Sequence, residues 1–147
     1  GAGTRTNRAP SEGEFKDIQI GHSIALDICD LDIGQTILVK AGMVLAVEAF
    51  EGTNEAIRRG GKLGGGGSVL VKVAKKNHDM RFDIPVIGTG TIKRLRRYGV
   101  TALAYQAKRL IMLNPSATLT AANRAGIAIV GIDSGLPPAP TRPAPEV

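Results

Sequence analysis

The sequence has no tryptophan, a single cysteine, and only 3% aromatic residues in 147 positions. Because rings are so scarce, a core must be built from Ile, Leu, Val and Ala, and the 43% of hydrophobic residues is enough for one packed domain. A single thiol, Cys29, excludes an internal disulfide and argues against a cysteine-based metal cluster. This use of cysteine is typical of a reducing cytoplasm.

Long hydrophobic runs are also missing. No apolar stretch approaches the roughly 20 residues that a membrane-spanning helix needs, and no signal peptide is visible. The chain begins Gly-Ala-Gly without a methionine, which we interpret as one piece of a larger protein. The net charge of +6 favours an anionic partner: a phosphorylated ligand, nucleic acid or an acidic membrane surface.

Composition predicts one domain between two loose ends. Residues 1–9 are polar and read as a flexible arm or boundary segment. Residues 10–133 carry the regular hydrophobic patterns, and residues 134–147 form a Pro-rich tail that we expect to be disordered or extended. The domain opens with Ser11 and Glu14 in the spacing of a capping box, ahead of a helix that reaches about Asp30.

The order strand–turn–strand–helix–strand occurs twice after this helix. The first unit has a hairpin around Ala41-Gly42, a helix from Thr53 to Gly60, a Gly-rich loop to Gly67 and a strand from Val69 to Ala74. After a basic helix, the second unit has a hairpin at 101–106 and 109–113, a helix at 115–125 and a strand at 127–132. The predicted fold class is α/β: a mixed β-sheet built from two hairpin–helix–strand units with packed helices.

A group of charged residues follows the strand of the first unit. Asp79, Arg81 and Asp83 alternate, so in an extended segment they share one face. They fit a structural ion pair or a site for metal and phosphate, with Arg81 gripping phosphate and Asp83 binding metal or polarising water. Lys72 projects from an apolar strand, where its charge needs a compensating anion, either a carboxylate or a ligand phosphate.

A second candidate group precedes the helix of the first unit. Thr53 and Asn54 begin that helix, whose backbone N–H groups can bind phosphate, and Glu48 and Glu51 just upstream are potential Mg²⁺ ligands. The alternative is an ordinary helix cap with two solvated glutamates. The basic run from Lys93 to Arg97 has three interpretations: a solvated helix face, a contact for anionic lipid, or an RNA site. The last is weakened because no aromatic residues are interleaved for base stacking.

Several of these residues together resemble a known family, the carboxy-terminal domain of the UDP-2,3-diacylglucosamine pyrophosphatases found in α-proteobacteria and some other Gram-negative lineages. The resemblance runs from about Pro10 to Ile132. Its motifs are Asp32-x-Gly34-Gln35, Ala46-Val47-Glu48-Ala49-x-Glu51-Gly52-Thr53-Asn54, Arg58-Arg59-Gly60, Leu70-Val71-Lys72-x-x-Lys75, Asp79-x-Arg81-Phe82-Asp83-x-Pro85-x-x-Gly88 and Ala125-Gly126-Ile127.

The resemblance implies a Mg²⁺-dependent hydrolase of lipid A synthesis that converts UDP-2,3-diacylglucosamine to UMP and 2,3-diacylglucosamine 1-phosphate. Water attacks the α-phosphorus in this reaction. Asp83 is then the expected catalytic or metal-binding carboxylate. The other expected metal ligands are Asp79, Glu48 and Glu51, and the expected substrate-binding residues are Lys72, Lys75, Arg81, Thr53 and Asn54.

Two positions depart from the family pattern. Asn54 stands where the family usually has Asp, and an amide is a weaker metal ligand than a carboxylate; His78 stands where the family often has Gln. The expected partners are the substrate, a missing amino-terminal domain and the cytoplasmic surface of the inner membrane. A homodimer is an open alternative, and no nucleic acid is expected. Two rival hypotheses remain: a non-catalytic module that binds nucleotide or lipid phosphate, and an RNA-binding protein.

Overall fold

A computed structural model describes residues 3–76 and 82–133, without the side chains of Lys76, Phe82 and Asp83. Its centre is a six-stranded mixed sheet in the order β1-β10-β8-β4-β2-β3. These strands are β1 (Gly3–Thr4), β2 (Thr36–Lys40), β3 (Met43–Val47), β4 (Ser68–Lys72), β8 (Val100–Gln106) and β10 (Ala128–Ile132). β4, β8 and β10 run parallel, and β2 is antiparallel to both β4 and β3. The expected α/β class with a mixed sheet is confirmed.

Helices cover both faces of the sheet. One face packs against α1 (Glu12–Asp30), and the other packs against α2 (Thr53–Gly64), α3 (Thr89–Arg97) and α4 (Pro115–Ala125). Both layers of the core are aliphatic, with Tyr105 the one aromatic side chain among the largest fully buried side chains of the described residues. Near Gly21 α1 lies so close to the sheet that an added Cβ would sit 2.7 Å from a methyl group of Val71.

Two further pairs of short strands lie beside the main sheet. β5 (Lys75–Lys76) pairs antiparallel with β6 (Phe82–Asp83), and β7 (Val86–Ile87) pairs parallel with β9 (Ile111–Met112). The pairing of β5 with β6 brings the backbone of Asp83 opposite that of Lys75. The chain therefore turns back on itself just beyond the end of β4.

The start of α1 and the first hairpin are as expected. The Ser11 hydroxyl accepts from the Glu14 N–H at 3.1 Å, and the Glu14 carboxylate accepts from the Ser11 N–H at 2.8 Å, which completes the capping box. The hairpin turns at Ala41-Gly42, both with positive φ. The buried Asp17 of α1 accepts from both of their N–H groups, so the turn is fixed against the helix.

The prediction of a second hairpin, and with it of a second copy of the hairpin–helix–strand unit, was wrong. β9 does not return along β8, because both edges of β8 are already occupied by β4 and β10. After Gln106 the chain instead bonds to the end of β10, where the Ala107 N–H donates to the Ile132 carbonyl at 2.7 Å. β9 then pairs with β7 outside the main sheet.

The Gly-rich loop predicted from Gly60 was also misplaced, since α2 continues through Gly60 and Gly61 to Gly64. These glycines allow close packing. A Cβ on Gly60 would lie 3.0 Å from the side chains of Ala46 and Leu38, and one on Gly61 would lie 2.5 Å from the Tyr98 carbonyl oxygen. The loop proper is limited to 65–67.

The amino-terminal arm differs from the expectation of a flexible segment. Gly3–Thr4 pairs with β10, and the Arg5 N–H donates to the Ile129 carbonyl at 2.8 Å. Arg8 donates to the Thr101 carbonyl at 2.7 Å and to both carboxylate oxygens of Glu14. The arm binds here because β10 would otherwise expose an unpaired sheet edge. The Pro-rich tail at 134–147 lies outside the described residues.

Candidate functional site

The candidate site lies where β4 ends. Lys72 is the last residue of β4, and because β2 runs antiparallel to it, Thr36 at the start of β2 is its partner in the register. Glu48 follows β3, and its N–H donates to the Thr36 carbonyl at 2.9 Å. Thr53, the first residue of α2, completes the group. Four polar residues from four elements thus meet at the carboxyl edge of the parallel strands, the usual position of ligand sites in α/β sheets.

The Thr53 hydroxyl connects these residues. It donates to the Glu48 carboxylate at 2.7 Å and accepts from the Lys72 amine at 3.2 Å. The Thr36 hydroxyl, fully buried, lies 3.3 Å from the Thr53 oxygen. Lys72 therefore reaches Glu48 only through a hydroxyl, and among the described residues it forms no salt bridge.

The charge on Lys72 is only partly compensated. Burial lowers the pKa of the Lys72 amine from its ordinary value, and the nearby Glu48 carboxylate opposes this shift. A half-buried ammonium retains unused donors, because it has three N–H groups. An anion that approached the end of β4 would supply both the missing charge and the missing acceptors.

The start of α2 adds a second feature that favours an anion. Its N-cap is Gly52, with φ of 86°, and no side chain caps the helix. The first-turn N–H groups of a helix carry partial positive charge and bind phosphate when no side chain occupies them. Since Thr53 is the first residue of α2, these N–H groups begin beside the Lys72 amine. Asn54 is exposed in the same turn.

A cavity of about 170 Å³ lies on the α1 side of this edge, lined by Cys29, Asp32, Ile33, Gly34, Gln35, Glu48, Ala49 and Lys75. Lys75 forms a salt bridge with Asp32 across it. Gly34 has no room for a side chain, because a Cβ there would lie 1.8 Å from the Glu48 carbonyl oxygen. Asp83 is the backbone partner of Lys75, so its main chain lies beside one of the residues that line this cavity.

Not every expected site residue joins this group. The Glu51 carboxylate contacts Arg59 at 2.5 Å, so the structure gives Glu48 and Glu51 different partners. Asp79 and Arg81 lie outside the described residues, and so does the side chain of Asp83. Within the described part of the chain, no three His, Cys, Asp or Glu side chains come together in a way that could hold a metal ion. A magnesium site therefore cannot be completed from the described side chains alone.

Sequence reasoning assigned no role to two glutamines that hold the chain beyond β4. The Gln106 side-chain oxygen accepts from the Ala74 N–H at 2.7 Å, and the Gln35 side-chain amide donates to the Val73 carbonyl at 3.1 Å. Together they fix the backbone between Lys72 and Lys75. Gln35 belongs to the Asp32-x-Gly34-Gln35 motif, and this motif could have indicated its role. No local pattern could have indicated the role of Gln106, because its partner Ala74 is 32 residues away.

The fold and this edge define a class of protein: an α/β domain with a candidate anion-binding site at the carboxyl ends of the parallel strands of a mixed sheet. Comparison with known families identifies it further. The family model of the LpxI C-terminal domain matches residues 1–130, and the chain belongs to that family. It is 35% identical over 133 residues to the UDP-2,3-diacylglucosamine pyrophosphatase LpxI of Caulobacter vibrioides. That alignment covers 85% of this chain and 48% of the relative, so the chain spans about half of the relative's length.

Over the described residues, no helix is long and apolar enough to cross a membrane.

Proposed function

We propose that the chain is the phosphate-binding and catalytic domain of a hydrolase that cleaves UDP-2,3-diacylglucosamine to UMP and 2,3-diacylglucosamine 1-phosphate. Membership of the LpxI C-terminal domain family and the name of the Caulobacter relative supply the reaction. The observation that carries it in this chain is the half-buried Lys72, beside the uncapped start of α2 and with no salt bridge among the described residues.

The residues suit hydrolysis of a diphosphate. Water attacks the α-phosphorus, the bond from that phosphorus to the bridging oxygen breaks, and the bridging oxygen leaves with the lipid phosphate. Lys72 and the first N–H groups of α2 stabilise the negative charge that develops on the phosphate oxygens. Thr53 orients the amine. Asp83 is our candidate for the group that takes the proton of the attacking water, and its backbone lies opposite Lys75.

The proposal includes Mg²⁺, which prefers carboxylate oxygens together with water and substrate phosphate. The candidate ligands are Asp83, Asp79, Glu48 and Glu51. When bound, the ion would neutralise part of the diphosphate charge. Because the described side chains do not complete a metal site, this part of the proposal depends on Asp79 and Asp83.

The substrate also implies a location and a partner. A diacylated nucleotide sugar is amphiphilic, so we propose that the domain works at the cytoplasmic surface of the inner membrane. Half of the Caulobacter relative has no counterpart in this chain, and we propose that an amino-terminal domain completes the substrate site.

The test is release of UMP from UDP-2,3-diacylglucosamine, measured for the chain alone and within the longer protein, with Mg²⁺ and then with EDTA. Asp83→Asn in the longer protein should lower turnover by about a thousandfold, because the amide neither accepts the proton nor binds metal well. The matched control is Asp27→Asn, the same change at an exposed position of α1, which should leave turnover unchanged. Full activity of Asp83→Asn would contradict the site assignment.

A second candidate function is a non-catalytic module that binds nucleotide or lipid phosphate. It is favoured by the fact that the chain spans about half of the relative's length. It predicts that this domain alone binds UMP and pyrophosphate through Lys72 but releases no UMP from the lipid substrate, because activity requires the missing domain. Release of UMP by the chain alone would exclude it.

A further inference from the structure

Five exposed cations lie on α2 and α3. Lys62, Arg96 and Arg97 line one open depression, and Arg94 and Arg97 line a smaller cavity together with Asn54 and Glu55. The basic α2–α3 surface consists of Lys62, Lys93, Arg94, Arg96 and Arg97, all exposed. Lys62 lies in the last turn of α2, and three of the arginines lie in the last turn of α3. Exposed Leu63 lies at its edge.

The cations of this surface form no salt bridge among the described residues, unlike five cations elsewhere in the fold. Arg8, Lys16, Arg58, Arg59 and Lys75 each form a salt bridge with a carboxylate. Among the described residues, none of the five cations of the basic α2–α3 surface does, and α3 contains no acidic residue. A cation near a helix C-terminus interacts favourably with the helix dipole. That effect explains one cation at each helix end but not three in the last turn of α3, where they repel each other.

The surface surrounds an open depression of about 480 Å³ that contains no carboxylate side chain. Its lining residues are Gly61, Lys62, Gly65, Gly66, Arg96, Arg97, Tyr98 and Gly99. Arg97 packs over the ring of Tyr98 at 5.4 Å from the ring centre. Glycine backbone forms the floor, and three cations form the rim. The depression therefore presents positive charge with little steric hindrance.

We propose that the basic α2–α3 surface docks the domain on a lipid bilayer with anionic headgroups. A plane of headgroups can contact the three cations around the depression at once, and exposed Leu63, which follows Lys62 in α2, offers an apolar group. An enclosed phosphate site is disfavoured here, because α2 and α3 both end at the depression and direct their partially negative carbonyl ends toward it. RNA is disfavoured because Tyr98, the one aromatic residue lining the depression, is covered by Arg97.

This inference relies on the proposed function for the choice of a membrane as partner. α2 connects the candidate site with the depression: it begins at Thr53 and ends at the depression, so its 12 residues place Thr53 about 18 Å from the depression along the helix. Docking would then hold the site within one helix length of the headgroups without blocking it.

The experiment measures co-sedimentation of the 147-residue chain with vesicles of phosphatidylcholine alone, or with about a third of the headgroups replaced by phosphatidylglycerol. We expect binding only to the anionic vesicles and release by salt. The triple variant Lys62→Gln, Arg96→Gln and Arg97→Gln should bind roughly a hundredfold more weakly, since each cation near the surface contributes about fivefold. All three side chains are exposed, so the thermal unfolding midpoint should not change.

The matched control is Lys16→Gln, Lys108→Gln and Arg124→Gln, which changes the net charge equally at exposed positions elsewhere. It should retain most of the binding. Equal losses in the two triple variants, or no binding of the unmodified chain to anionic vesicles, would overturn the proposal. So would tighter binding to single-stranded RNA than to vesicles.

A conservative variant distinguishes binding to a bilayer surface from specific binding of a single phosphate group. Arg96→Lys with Arg97→Lys keeps the charge, so vesicle binding should persist; a large loss would indicate fork-like recognition of one phosphate and would overturn the proposal. Turnover of substrate in neutral detergent should be unaffected by Lys62→Gln with Arg96→Gln, which leaves Arg97 in place beside Asn54. If the unmodified protein binds vesicles but never releases UMP, the docking inference stands and the pyrophosphatase proposal fails.

Discussion

The molecule contains two clusters of the same composition, each with a carboxylate, a cation and at least one threonine hydroxyl. They differ in how fully the charged groups are satisfied by hydrogen bonds. At the start of α1, Glu14 accepts hydrogen bonds from Arg8, from the Ser11 backbone and from Thr101, the last at 2.6 Å. At the start of α2, the Lys72 amine donates, among the described residues, only to Thr53, which in turn donates to Glu48. The first helix has a capping box, and the second has a glycine cap without a side-chain bond.

The contrast separates a structural cluster at the start of α1 from a candidate binding cluster at the start of α2. Burial opposes ionisation of Glu14, yet the bonds from Arg8, Ser11 and Thr101 outweigh it and hold its pKa at about 2. Burial lowers the pKa of Lys72, and Glu48 only opposes this shift. A cluster that satisfies its own charges stabilises the fold, whereas a cluster with unused donors has capacity for a ligand.

The largest expected effect on stability comes from a substitution that crowds the backbone beside Glu48 in the candidate binding cluster. Gly34→Ala should lower the free energy of unfolding by about 3 kcal/mol or more, because the new Cβ would lie 1.8 Å from the Glu48 carbonyl oxygen. Gly13→Ala is the matched control, since nothing lies within 4 Å of its Cβ. In an exposed helix it should raise stability by about 0.5 kcal/mol. Equal stability of the two variants in urea unfolding would contradict the close packing at Gly34.

Removing the charge of Lys72 should affect binding more than stability. Lys72→Met should weaken binding of UMP and pyrophosphate, measured by calorimetry, roughly ten- to hundredfold because a charge-assisted bond to phosphate is lost. The free energy of unfolding should change by less than about 1 kcal/mol, since burial of the charge is no longer needed.

Lys40→Met provides the matched control, because Lys40 donates to the Gly64 carbonyl at 2.6 Å, at the other end of α2. It should lower stability by about 1 kcal/mol and leave affinity unchanged. Unaltered phosphate affinity in Lys72→Met would remove the basis of the proposed site.

Removing the charge of Glu14 from the structural cluster should lower stability and leave phosphate affinity unchanged. Glu14→Gln should lower the free energy of unfolding by about 2 kcal/mol, since Arg8 loses its carboxylate. Phosphate affinity should not change. Glu12→Gln is the control: Glu12 is exposed and contacts Lys16 at 3.7 Å, so its loss should cost less than about 0.5 kcal/mol. A fall in affinity for Glu14→Gln would mean that the two clusters are coupled.

The smallest effect is a dependence of stability on pH. Because the pKa of Glu14 falls from its ordinary value of 4.5 to about 2 in the folded protein, its contribution is fully present above pH 4.5 and is lost as the pH falls toward 2. The unfolding midpoint of the unmodified chain should therefore decline through this range more steeply than that of Glu14→Gln. Parallel curves would show that the carboxylate is not stabilised in the fold.

Local patterns predicted much of this fold correctly. Ser11 and Glu14 predicted the capping box because a cap involves residues three apart, and Ala41-Gly42 predicted the hairpin because a turn has its own backbone requirements. The second hairpin failed because β8 is flanked by two strands that are distant in sequence. Gly60 and Gly61 suggested a loop, although their small size serves close packing instead.

The candidate site likewise has a part that the sequence predicted and a part that it did not. Lys72 was identified because a charge in an apolar strand requires compensation wherever that strand packs. The contacts around the site were not predictable in the same detail. Thr36 lies opposite Lys72 through strand pairing, Lys75 forms a salt bridge with Asp32, and Glu51 forms a salt bridge with Arg59. Each contact joins residues whose separation in the chain says nothing of their separation in space.

The sequence by itself determined which helices form, the first hairpin, the aliphatic core and the motifs of the family, because these depend on short-range spacing and composition. Only the tertiary structure decided that Glu14 is saturated with hydrogen bonds while Lys72 is not, and that the cations of α3 lack carboxylate partners among the described residues. Charge compensation depends on which side chains meet across the sheet, and strand order sets those meetings.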